Sequence, residues 1–380
     1  MIRVPRLLIA CAVLGPASLV LAACSGGAEP APDPLSEAAL AAVAEDAGAP
    51  RDRLARQVDD LFADEALAET RAVLVMYDGQ LVAERYGEGY GPETRFVSWS
   101  MAKTITAVLI GMLVADGRLE LDRGPPIPAW RRAGDPRGGI TLRQLLQMRS
   151  GLRHCEACAP IYDSSEVRML FLDGRDDMAA WAEAQPMEHE AGATFEYSSN
   201  STVILADIAA RILSGDSDDP DERREAVATF LQDRLFGPLG MDTIVPEYDA
   251  SGTLIGGSLM HASARDYAKF GEFLRRGGRT ADGSQLVPRA WIEFMTAPSP
   301  REAQYGGQTW LNRAPTTGDP ALFPGSGPDS AYAMVGHLGQ YVIVAPDQRL
   351  TVVRLGRTDD AGRRPVVDGL ADIVALYPGT

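Results

Sequence analysis

The chain of 380 residues carries 36 Lys plus Arg against 52 Asp plus Glu, a formal net charge of −16. So acidic a chain argues against a nucleic-acid partner, because a phosphate backbone is held by basic patches. Hydrophobic residues make up 46% of a chain longer than one typical core, which points to one large domain or two interlocked lobes.

Residues 1–23 read as a signal peptide. Arg3 and Arg6 precede an apolar stretch from Leu7 to Val20, too short for a permanent spanning helix, and small residues follow at a cleavage site. The ending Leu21-Ala22-Ala23-Cys24 resembles a bacterial lipobox, which implies cleavage before Cys24 and a lipid on its thiol. An ordinary secreted protein with a coincidental cysteine is the alternative. The lipid reading implies attachment to the membrane of a bacterial cell envelope, on its periplasmic or extracytoplasmic face. Residues 24–45 are expected to be a tether, rich in Gly, Pro and Ala from Gly26 to Pro34, and residues 46–380 the folded domain. No later apolar run is long enough to cross a bilayer.

Ser36 to Ala66 shows helical spacing with mixed charges. Arg71 to Tyr77 and Gln80 to Tyr86 are strand-like runs around Asp78-Gly79, a hairpin signal. Phe96-Val97-Ser98-Trp99-Ser100-Met101-Ala102-Lys103-Thr104 then leads into an apolar run closed by Ala115-Asp116-Gly117. Ser100 and Lys103, at i and i+3, place a hydroxyl and an amine on one helical face. The helix behind them is apolar on nearly every side and is therefore expected to be buried. A lysine at its mouth must be paired or lose its proton, and a neutral lysine is a general base. Only Lys103 and Lys269 are lysines; every other cation is arginine, which cannot be deprotonated in a protein. Retaining the amine at position 103 suggests chemistry that needs it, whereas Lys269 has a surface reading.

Thr141 to Met148 follows as a short amphipathic helix. Asp177 to Ala184, Ser201 to Leu213, Ala226 to Leu235, Ser263 to Arg275 and Pro288 to Phe294 also read as helical. The pattern then changes to β-like runs, Tyr305 to Leu311, Tyr332 to Val335, Gln340 to Val344 and Arg349 to Leu355, before a closing helix over Pro365 to Leu376. Strands at both ends of a helical block can join in one antiparallel sheet, with the first and last helices on one face. That gives an α/β lobe of about 50–100 and 250–380, and a helical lobe of about 101–249. The Ser100 helix falls at their junction, where pockets form. Gly256-Gly257-Ser258 and the Pro320 to Pro328 loop are candidate pocket borders.

Of four cysteines, Cys11 leaves with the signal and Cys24 is the lipid site, so Cys155 and Cys158 remain. A local disulfide is the first reading in an exported protein. Zinc with the adjoining His154 is the second, although a structural zinc site wants four ligands.

Ser100-Met101-Ala102-Lys103, Thr141 to Leu152, Tyr197-Ser198-Ser199-Asn200 and Gly336-His337-Leu338-Gly339-Gln340 together resemble the ordered signatures of the serine β-lactamase-like superfamily. The wording is closest to class C-type serine hydrolases and the 6-aminohexanoate-dimer hydrolase branch. The resemblance implies an α+β fold like that of β-lactamases and penicillin-binding proteins, an antiparallel sheet flanked by helices plus an all-helical lobe. It implies an acyl-enzyme on Ser100, with Lys103 and Tyr197 taking its proton and passing one to the leaving group. A phenol does this near neutrality only if its pKa is pulled down, and a nearby cationic amine has the right sign. The backbone N–H groups of Ser100 and Gln340 would hold the oxyanion, with Gly339 letting the strand approach the substrate closely; His337 begins the strand motif, where binding substrate, tuning the site and a structural role are the readings. No cofactor or metal is expected, and the partner is a small ester, amide or peptide.

Two departures bear on the substrate. Many β-lactamases and penicillin-binding relatives have lysine where this chain has His337, and asparagine where it has Ser199, with Asn200 one residue late. Both changes weaken contacts expected for a β-lactam or a D-alanyl peptide, which favours an ester or amide over a β-lactamase or D,D-peptidase reaction. A non-catalytic cell-envelope binding protein of the same fold is a further alternative, but one with no need for the amine.

Overall fold

The computed structural model describes residues 34–379. In chain order the elements are helices α1 (Glu37–Ala41) and α2 (Arg51–Ala63), strands β1 (Glu69–Tyr77), β2 (Gln80–Tyr86) and β3 (Phe96–Val97), and helices α3 (Ala102–Ala115), α4 (Leu142–Leu146), α5 (Ser165–Phe171), α6 (Met178–Glu183), α7 (Ser199–Ser214), α8 (Pro220–Leu231) and α9 (Gly237–Leu239). Strands β4 (Val245–Pro246) and β5 (Met260–Ala262) and helices α10 (Ala264–Arg275) and α11 (Arg289–Met295) follow, then β6 (Trp310–Leu311), β7 (Tyr332–Gly336), β8 (Gln340–Ala345), β9 (Leu350–Arg357) and α12 (Arg363–Ala375).

Strand β1 pairs antiparallel with β2 through the two-residue Asp78-Gly79 turn, and on its other side with β9, Leu74 facing Val353. The six-stranded sheet runs β2-β1-β9-β8-β7-β6, so the two ends of the chain meet in it as expected. Alternation along β1 divides the core: Ala72 and Leu74 face one cluster, Val73 and Val75 the other. Helices α2 and α12 cover the second face, and α10 and α3 lie on the first. Residues Ala102 to Leu113 of α3 are all buried, the environment that its all-round apolarity demands.

Two expectations are corrected. Residues 35–45 are not tether. Ser36 caps α1, Ala39 and Val43 are buried, and Ala44 N–H donates to Val82 O and Glu84 N–H to Ala42 O at 2.9 Å each. Three small or branched apolar side chains, Ala39, Val43 and Ala47, drive this docking, which also covers the open edge of β2. The strand over Tyr305 to Leu311 shrinks to Trp310–Leu311. A small second sheet, in which β5 pairs with β3 and with β4, adds to the expected architecture. Signal, lipid site and the rest of the expected tether lie outside the described residues.

Candidate active site

The small sheet sets the position of Ser100. Ser98, fully buried after β3, donates its N–H to Met260 O at 2.7 Å and its hydroxyl to Ser258 O at 3.2 Å, and accepts from Met260 N–H at 3.1 Å. With Ser98 pinned, Trp99 turns through φ +45°, a left-handed backbone that bulky residues avoid at a cost on the order of 1–3 kcal/mol. Ser100 then sits in a 3₁₀ turn, Trp99–Met101, just ahead of α3. Residues three apart eclipse in such a turn, so the predicted i, i+3 pairing with Lys103 survives the change of helix type.

Lys103 is 1% exposed. Its Nζ donates to Ser100 Oγ at 3.0 Å, Ser199 Oγ at 2.7 Å and Gly257 O at 2.8 Å, three acceptors for the three protons of an ammonium. Glu156 Oε1 lies 3.9 Å from the same nitrogen. Glu156 also accepts from Ser199 N–H at 2.8 Å and from the Ser199 hydroxyl, and bonds His154 Nε2 at 2.6 Å. Glu166 Oε1 lies 3.2 Å from the hydroxyls of both Ser199 and Ser258.

These neighbours decide the protonation states. Burial alone would lower the Lys103 pKa, but the negative charge of Tyr197, when ionised, and of Glu156 and Glu166 outweighs it and holds the amine above its ordinary value. The lysine is therefore paired, one of the two expected ways for an amine to be tolerated in this buried position. Glu156 is buried too, which would raise it, yet the bonds from His154 and the charge of Lys103 keep it below the usual carboxylate range. Glu166 is pushed up by burial and by Glu156. Burial also raises Tyr197; Lys103 and the Ser100 hydroxyl pull it down, as the sequence suggested, but do not win.

The Tyr197 ring lies 4.9 Å from Lys103 Nζ and packs on Trp310 and Tyr305, with centroids 5.4 and 5.7 Å away. Tyr197 and Ser100 share a cavity of about 480 Å³ with Glu156, Glu166 and Gly336 to Gly339. His337 stands at its exposed rim with its ring edge-on to Trp99 at 5.5 Å. Gly336 packs on the segment before Ser100, where a Cβ would sit 2.3 Å from Ser98 O, and at Gly339 a Cβ would sit 2.5 Å from Arg354 Nη1. Gly339, at φ +81°, belongs to the β7–β8 turn and its carbonyl accepts from Arg354 Nη1 at 2.9 Å. Gln340 opens β8 with its side chain folded back on His337, Leu338 and Gly356 carbonyls.

Ser199 takes the place beside Lys103, whereas Asn200 points into the helix packing and its side-chain atoms find no partner among the described residues. Gly257 and Ser258 border the site as anticipated, but the Pro320 to Pro328 loop does not line its cavity. Cys155 and Cys158 are bonded to each other, with Cα atoms 5.8 Å apart, and close a turn around Glu156. Sequence reasoning missed Glu156, Glu166 and the fully buried Arg354, whose guanidinium braces the β7–β8 turn, Thr70 and Thr358. Glu156 lying between the two cysteines was its one available signal.

Fold and site together have the architecture of β-lactamases and penicillin-binding proteins. A sequence model of the Beta-lactamase family matches residues 58–376, and the chain belongs to that family. It is 28% identical over 269 residues to a 6-aminohexanoate-dimer hydrolase of Paenarthrobacter ureafaciens, a match spanning 66% of this chain and 63% of that protein. Among solved structures it is similar to a family VIII carboxylesterase, with a TM-score of 0.61 at 16% identity over 84% of this chain and 96% of the other. It is also similar to a D-alanine carboxypeptidase from Burkholderia cenocepacia, with a TM-score of 0.58 at 18% identity over 84% and 97%.

Proposed function

We propose that the protein is an exported hydrolase that cleaves an ester or amide through an acyl-enzyme on Ser100. The observation that carries this reading is Lys103 Nζ, 3.0 Å from Ser100 Oγ at the wall of a cavity that also takes in Tyr197. The Lys103–Tyr197 pair first sheds one proton. It then accepts the Ser100 proton as Oγ attacks the carbonyl, and returns it to the leaving oxygen or nitrogen. Water enters by the reverse of these steps and releases the acid. The backbone N–H groups of Ser100 and Gln340 are assigned to the developing oxyanion, with His337 at the substrate rim. Glu156 positions the amine through Ser199.

The β-lactamase and D,D-peptidase readings rank second, because no lysine stands at the His337 position to draw in a substrate carboxylate. Export rests on the N-terminal signal, and the Cys155–Cys158 bond favours an oxidising compartment; a lipid on Cys24 would hold the enzyme at the envelope membrane. A fluorophosphonate probe is expected to label Ser100 and to fail on Lys103→Ala. Absence of label, or labelling indifferent to Lys103→Ala, would sink the catalytic claim. In a panel of p-nitrophenyl esters, short amides and a chromogenic cephalosporin, the cephalosporin is expected to be the poorest substrate.

A further inference from the structure

Among the described residues the large exposed hydrophobics are few, and four of the six gather at one place: Ile161 at 63% exposure, Tyr162 at 62%, Phe171 at 50% and Leu172 at 45%. Ile161 and Phe171 line the cavity that holds Ser100, and the exposed Tyr162 and Leu172 follow them directly in the chain. Inside the same wall come Val167 and Leu170, and the opposite wall presents Trp310, Val335, Leu338 and Tyr341. An apolar surface thus runs without a break from beside the nucleophile out to solvent, where exposed apolar patches mark binding.

The lip is a built feature. Ser164 caps α5 by accepting from Val167 N–H at 3.2 Å, and Ser165 N–H donates to Cys155 O at 2.8 Å while its hydroxyl accepts from Cys155 N–H at 3.0 Å. The turn closed by the Cys155–Cys158 bond therefore anchors this wall to the site. A preformed wall loses little freedom when a ligand covers it. Its charges select as well. Asp359 and Asp360 face the cavity with Arg363, and Glu156 and Glu166 lie there near Lys103, so acidic side chains outnumber basic ones around the bound arm and oppose a carboxylate on it.

We propose that Ile161, Val167, Leu170 and Phe171, with Tyr162 and Leu172 as an outer lip, form an acyl-chain subsite. The preferred substrates are uncharged esters or amides with a medium or long apolar acyl arm. This rests on the hydrolase reading and specifies its substrate class.

The test uses the purified full chain and p-nitrophenyl esters from acetyl to octanoyl, below their micellar concentrations. The ratio kcat/KM is expected to rise about fourfold per added methylene until the wall is filled, and an acyl arm ending in a carboxylate is expected to lose that gain. Phe171→Ser and Ile161→Ser are expected to cut octanoyl turnover about tenfold or more relative to acetyl turnover. Both side chains are exposed, and an unchanged thermal transition verifies that the variants fold. A flat or falling chain-length profile in active enzyme overturns the subsite. So does a rising profile that both variants leave intact, including the case where they lose only binding to phospholipid vesicles, which would make the lip a membrane contact. If no ester is turned over and Ser100 takes no fluorophosphonate, the hydrolase reading itself falls and the subsite with it.

Discussion

Helix α7 touches two buried ionic clusters, and they are built on different cations. At its start Ser199 sits between Lys103 and the carboxylates of Glu156 and Glu166, beside an open cavity. Two turns further on, Asp207, 1% exposed, takes Arg211 and Arg223. Arg223 also donates to Ser251 O at 3.0 Å and Thr253 Oγ1 at 3.1 Å, and is itself buried. The second cluster, closed but for the part-exposed Arg211, needs only neutralisation, which a guanidinium supplies permanently and with several fixed donors. The first must be able to move a proton, and it holds one of the chain's two lysines. The other, Lys269, is 42% exposed in its side chain and bonds Asp266 at 2.9 Å on the surface of α10. The same helix thus separates a charge that holds the fold from a charge that can react.

Exchanging the cations tests that separation most severely. Lys103→Arg keeps the positive charge and removes the movable proton, so kcat is expected to drop by roughly 10²–10⁴-fold while the protein remains folded; retention of most activity would erase the distinction. Next in size, Asp207→Asn leaves Arg223 buried without its counter-charge. Denaturant unfolding should register a loss of roughly 3–5 kcal/mol, with kcat of the folded fraction unaltered. A fall in kcat without a fall in stability would show that the second cluster reaches the site.

Glu183 gives a third test, through pH. Burial and the neighbouring Asp207 push its pKa up to about 8. In the unfolded chain it ionises near its ordinary value of 4.5, so its contribution to stability is complete below that pH and is lost as pH rises towards 8. Thermal transitions at pH 5 and pH 8 should therefore diverge less in Glu183→Gln than in the wild type, by on the order of 2 kcal/mol; equal divergence would mean that the carboxyl is not held protonated. Glu156→Gln should have the smallest effect and sharpens the comparison from the catalytic side. The negative charge of Glu156 raises both Lys103 and Tyr197, so its removal lowers the pH at which the pair sheds its proton. The rise of kcat/KM with pH is expected to begin at lower pH in the variant. A shift to higher pH would refute the assigned polarity.

Much of the fold could be read from local pattern. The Asp78-Gly79 hairpin, the all-apolar α3 and the sheet joining both chain ends follow from turn chemistry, periodicity and the need to bury strand faces. The tether was overextended because Ala39, Val43 and Ala47 look like unremarkable small residues until β2 offers them an edge to dock on. In the site, Ser100 and Lys103 were legible because one turn of helix brings them together, and Tyr197 and the Gly336 to Gln340 turn because of family signatures. That Gly336 lies against Ser98 O is a matter of strand pairing rather than spacing.

What the amino-acid sequence determined by itself was a nucleophile and an amine one turn apart, at the head of a helix too apolar to be anything but buried. Both are consequences of short-range geometry and of the hydrophobic effect. Only the tertiary structure decided what surrounds the amine, because Glu156, Ser199 and Gly257 come from segments 53, 96 and 154 residues away. Protonation in a buried site is set by the charges packed around it, and no local pattern in the chain records that packing.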